Sequence, residues 1–183
     1  MFTYAFRSPF QTGALFGGLF CALSLLFLQG EGWLHEALLL PYWLLDLTYL
    51  SLLSASLWGA FLWFNNRYPD LPAHFPYHLV VGLGFAFSAA MLTALVYYGV
   101  LIVDPTYLDQ LLFNAQYEWL DRGLALEQIA ERSVSYAYRG APQYALSAYN
   151  RLFLSAFGLT MLLSTISCIR ECIAAARQQE ELV

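Results

Sequence analysis

The chain contains no lysine, and its eight basic residues are all arginine, set against thirteen acids for a formal charge of -5. A chain that binds the phosphate backbone of nucleic acid needs a basic stripe to release counterions, so nucleic acid is excluded as an expected partner. Charge of either sign is scarce at 11% of residues, where a soluble domain carries about 25%. Too little polar material exists to cover a soluble globule of 183 residues. Cysteine is limited to Cys21, Cys168 and Cys172, with no CxxC, so neither a disulfide framework nor a thiolate metal site is expected. The chain also lacks a glycine-rich phosphate loop, an HExxH and a GxSxG, and we read it as a non-enzyme with no cofactor.

What is abundant is apolar: 60% of the residues are hydrophobic and 17% aromatic. A helix crosses a bilayer core of about 30 Å with roughly 20 apolar residues, because every backbone polar group must be satisfied without water. Four stretches qualify, at 9–28, 38–64, 77–103 and 144–169. The first is expected to stop at the polar turn QGEG, residues 29–32, and the second before the prolines of NNRYPDLP. Arg7 ahead of an apolar run resembles a signal peptide, but FLQGEGW lacks small residues at cleavage spacing, so the segment is read as a retained span. The expected fold is all-α: a single membrane domain over residues 1–183, with four transmembrane helices and a helical hairpin between the third and fourth.

That hairpin occupies residues 104–143. Asp104 reads as the helix cap, with Pro105 in the first turn, and Gly123 as the stop of the first helix. Leu108, Leu112 and Trp119 form an apolar stripe on the first helix, and Ile129 and Val134 belong to a second stripe on the next. These five are the expected contact residues for a partner. The alternatives are a cap over the bundle mouth and a hairpin lying in the headgroup layer. Six acids against three arginines disfavour anionic lipid and tilt the reading toward protein contact.

Within the spans, Asp46 is the only acid, and Arg151 is the only arginine well inside the fourth. Each lies roughly 10 to 12 Å from the outer end of its helix at 1.5 Å rise per residue. An Asp46 to Arg151 charge pair is therefore expected, either fixing helix register or carrying ions or protons. Gly13, Gly17 and Gly18 place small residues where helices can approach closely, inside the bundle or across a dimer. His74 and His78 have metal-ligand spacing for a helix, but Pro76 between them makes PAHFPYH read as a turn, so no metal is expected.

Four spans place both termini on one side, together with Arg7, Arg67, Arg170 and Arg177, whereas the short loop opposite, QGEGWLHEA, carries no arginine. The positive-inside rule then predicts cytoplasmic termini in a bacterial inner membrane. Gly13 and Gly17 in the first span, Asp104-Pro105 after the third, the acidic helical insert, and Ala141-Pro142 with Gly158 in the fourth resemble a bacterial membrane family, domain of unknown function 4199. That resemblance covers nearly the whole chain and implies a four-helix integral membrane protein without an assigned activity. The functional expectation is a structural or accessory subunit of a membrane complex, contacting the lipid bilayer and either a membrane-protein partner or further copies of itself. The alternative is a small transporter or ion- or proton-conducting protein built on Asp46 and Arg151.

Overall fold

The computed structural model describes residues 2–38, 42–68, 75–104, 106–137 and 140–180. The described elements are all helices: α1 (Phe2–Leu38), α2 (Tyr42–Arg67), α3 (Phe75–Val103), α4 (Thr106–Asp121), α5 (Leu126–Ala137) and α6 (Ala141–Glu180). Four of them are long and apolar enough to cross a membrane, at Ser8–Leu26, Leu47–Arg67, Phe75–Val103 and Ala141–Arg170. Only 22% to 44% of each span is buried within the protein. Every span leaves large apolar side chains exposed, Leu15, Leu62 and Leu154 among them, and these need hydrocarbon as their solvent.

The helix boundaries differ from the span boundaries read from the sequence, for physical reasons. Helix α1 begins before Pro9 and runs through Gln29–Gly32 to Leu38, although its apolar stretch ends at Leu28. Polar residues end a membrane span but need not end a helix, and one helical glycine costs only about 1 kcal/mol. Leu38 thus closes α1, and α2 starts at Tyr42. Helix α3 starts at Phe75 with Pro76 in its first turn, where a missing N–H breaks no intrahelical bond. Pro142 likewise stands in the first turn of α6, which begins at Ala141 and not at residue 144.

The helices fall into two compact units, residues 1–90 with 152–183, and residues 91–151. In the first unit, Phe20 (α1), Leu53, Leu57 and Phe61 (α2), and Val81 and Phe85 (α3) are fully buried. The Phe20 ring meets Tyr49 edge-on and Phe85 at a tilt, with both ring centres 5.6 Å away. Such contacts bring three helices together through ring packing in place of water exclusion, which supplies no drive between helices in lipid.

Glycines set the α1–α3 spacing. A Cβ at Gly13 would run into the Val81 carbonyl, one at Gly17 into the Ser88 hydroxyl, and one at Gly84 into the Phe10 carbonyl. The backbones are close enough for Ser88 Oγ to donate to the Ala14 carbonyl at 2.9 Å. Because Gly13 meets Val81 and Phe85 while Gly17 meets Phe85 and Ala89, the two helices advance in the same direction. Gly18 is half-buried. On the other side of α3, Gly82 leaves room for the Thr160 side chain of α6.

In the second unit, α4 and α5 follow the end of α3. Asp104 Oδ1 accepts hydrogen bonds from Thr106 N at 3.1 Å and Thr106 Oγ1 at 2.5 Å, satisfying a first-turn donor of α4. Pro105 lies outside the described residues. At the other end Gly123, with φ 74°, donates to Leu120 O at 2.8 Å, and Leu124 N donates to Trp119 O at 3.1 Å. That bond pair is the Schellman stop, whose left-handed residue favours glycine. Helices α4 and α5 are joined by Gln116 Nε2 donating to Ser133 Oγ at 2.9 Å and by the Arg132 guanidinium 6.0 Å from the Trp119 ring centre.

Candidate functional site

The expected charge pair cannot be placed: Asp46 is helical but its side chain lies outside the described residues, while Arg151 is exposed. The hydroxyls nearest Asp46 are committed locally. Thr48, Ser51 and Ser54 donate to the carbonyls of Leu44, Leu47 and Leu50, each at 2.8 Å, which satisfies them within their own helix.

Polar chemistry gathers instead at one end of the first unit. His78 of α3 is 1% exposed, and its Nε2 lies 3.1 Å from Asn65 Oδ1 of α2. The Phe61 ring stacks on the imidazole at 4.5 Å between centres and 11° between planes. Ser8 of α1 donates to the Tyr68 hydroxyl, and Tyr77 is stacked on Phe64 at 6.2 Å. With Asn65 Oδ1 as acceptor, His78 carries its proton on Nε2 and leaves Nδ1 as an acceptor. The opposite amide orientation reverses both roles, leaving Nδ1 as a donor.

Helix α6 adds a polar edge of its own to this unit. Thr160 and Ser164 are fully buried and Ser167 nearly so, at positions that share one helical face. Thr160 Oγ1 donates to the Ala156 carbonyl at 2.8 Å, whereas Ser164 Oγ is buried without a hydrogen-bond partner. A buried hydroxyl left unsatisfied costs about 1–3 kcal/mol, which makes Ser164 the exception among the described residues.

The sequence reading did not single out Asn65, and it weighed His78 only as a metal ligand. His78 was set aside because Pro76 looked like a break, yet a first-turn proline leaves His78 inside the helix, and His74 lies outside the described residues. The available signal was the helical phase of α3, which puts His78 on the face of Gly82 and Phe85. Among the described residues no three His, Cys, Asp or Glu side chains gather so as to hold a metal. Cys21 is buried, Cys168 half-buried and Cys172 exposed, none of them in a disulfide.

In the second unit, Leu108, Leu112 and Trp119 are half-buried and Ile129 is 7% exposed, so the expected contact stripes are largely used within the unit, while Val134 is exposed. The apolar surface left open is a different one on α4. Phe113, Tyr117 and Leu120 recur at helical spacing and are 47% to 56% exposed, with the Phe113 and Tyr117 rings edge-on at 4.7 Å. The outer face of α5 carries exposed Glu127 and Glu131. Along the span segments of this unit, Met91, Leu95 and Tyr98 of α3 and Pro142, Leu146 and Tyr149 of α6 line an open apolar groove of about 470 Å³. No protein-family model matches this chain, and no curated protein or solved structure matches it.

Proposed function

We propose that this protein is a structural or accessory subunit of a membrane complex, and that helices α4 and α5 form its contact surface for another membrane protein. The observation that carries the reading is the row Phe113, Tyr117 and Leu120 on α4, apolar and roughly half exposed on a helix that begins three residues after a membrane span ends. Exposed apolar rows of this kind mark interaction surfaces, and aromatic side chains supply large contact area at low entropic cost. Asp104, Asp109, Glu118, Asp121, Glu127 and Glu131 against three arginines give the segment a negative field, so the partner surface it fits is apolar with a basic rim. The same field opposes close association of this segment with a second copy of itself or with anionic headgroups.

Arginine placement supports termini on the cytoplasmic face of a bacterial inner membrane, with α4 and α5 on the opposite face. The likeness to domain of unknown function 4199 agrees with four spans and adds no activity. Purification from native membranes in mild detergent is expected to yield a second membrane protein in fixed stoichiometry. A chain that purifies alone and moves a solute across liposomes instead supports the transporter built on Asp46 and Arg151 and overturns the subunit reading.

A further inference from the structure

Ser164 and His78 occupy the same level of the first unit. Gly82 of α3 faces Thr160 of α6, and further along α3 Met91, Leu95 and Tyr98 share a groove with Pro142, Leu146 and Tyr149 of α6, so the two helices run antiparallel and one turn back along α3 reaches His78 while one turn on along α6 reaches Ser164. Residues four apart share a helical face, so both side chains remain on the α3–α6 seam. Counting from the Gly13 contact along the parallel α1 brings Ser8 to this level, and the His78–Asn65 and Ser8–Tyr68 bonds bring in the end of α2. All four helices of the unit thus give a polar side chain to one layer. The layer lies near the span ends: His78 is three residues inside Phe75 and Ser164 six inside Arg170, about 4 to 9 Å at the helical rise.

Two hydrogen-bonding positions in this layer lie outside the His78–Asn65 and Ser8–Tyr68 bonds. Ser164 Oγ is fully buried and unpartnered. The second ring nitrogen of His78 remains able to bond whichever way the Asn65 amide is turned. Buried polar groups in native proteins are completed by protein or by ordered water, and a buried water needs two to four polar partners.

We propose that Ser164 and His78 together hold a buried water molecule. Ser164 Oγ–H donates to the water oxygen, and the water completes the bond at His78 Nδ1. The water makes α6 a member of the His78–Asn65 network, so that α2, α3 and α6 are linked by hydrogen bonds in hydrocarbon surroundings, where each such bond has no competing bulk solvent.

The test is water-edited solid-state NMR on full-length protein in lipid bilayers with isotope-labelled histidine. Transfer from water to the His78 ring is expected in the wild type, despite 1% exposure, and is expected to disappear in Ser164→Ala while Ser164→Thr retains it. No transfer to His78 in the wild type overturns the proposal without recourse to any variant. Transfer that persists unchanged in Ser164→Ala overturns it too, since the water then does not depend on Ser164. A Ser164 hydroxyl found bonded to the Thr160 carbonyl of its own helix is the third contradicting outcome.

Discussion

Glycine serves opposite purposes at different positions in the spans. At Gly13 an added Cβ meets the Val81 carbonyl, so the α1 and α3 backbones must separate, whereas nothing lies within 4 Å of a Cβ placed at Gly158. Gly13→Ala is expected to destabilise the protein by about 1–3 kcal/mol, the usual cost of overpacking a close contact. Gly158→Ala should be neutral or stabilising by up to about 1 kcal/mol through helix propensity. Unfolding by steric trapping in bicelles measures both, and equal effects at the two sites would contradict the close approach. The His78–Asn65 bond is testable by a double-mutant cycle with His78→Ala and Asn65→Ala, with an expected coupling of about 0.5–1.5 kcal/mol. The small-residue spacing of Gly13 and Gly17 was legible in the sequence, because it depends on one helix alone. Their counterparts Gly84 and Ser88 were not, because they acquire meaning only when α3 is known to be the neighbour.

Between elements, local chemistry decides where helices stop, and that part reads well from sequence. Asp104 and Gly123 were recognisable as cap and stop, since a cap needs a side-chain oxygen beside free N–H groups and a Schellman stop needs a residue that tolerates positive φ. Gly123→Ala forces an alanine to φ 74° and is expected to cost about 1 kcal/mol. Hydrogen exchange should report faster exchange at Gly123 and Leu124, whose amides close the motif, with the four spans unchanged. Unaltered protection there would show that the turn does not depend on glycine. QGEG marks the end of the first membrane span, but the sequence did not reveal that α1 itself continues to Leu38. The stretch QGEG contains no proline, and outside hydrocarbon a helix can continue through polar residues. The row Phe113, Tyr117 and Leu120 was missed for a related reason: α4 is apolar on two faces, and a single stripe of Leu108, Leu112 and Trp119 accounted for its periodicity. Burial separates the two faces, and periodicity does not.

For the whole molecule, scarcity of charge led directly to four spans, and the low burial of each span agrees with lipid as the main solvent. Orientation is a separate claim. Cys172 is exposed just past the end of the fourth span, at Arg170, so a membrane-impermeant maleimide should label it in inverted vesicles and not in right-side-out spheroplasts. The reverse pattern would put the termini outside. The central claim is that the α4 row contacts another membrane protein, and the most direct measurement places a photo-crosslinking amino acid at Tyr117 in native membranes, alongside native-gel migration of wild type and a Phe113→Ser, Tyr117→Ser, Leu120→Ser variant. The account predicts a crosslink to one membrane protein with a basic contact surface, and a larger native complex that the triple variant loses while still inserting. A crosslink only to lipid or to a second copy of this chain, or a triple variant that migrates with the wild type, would contradict it.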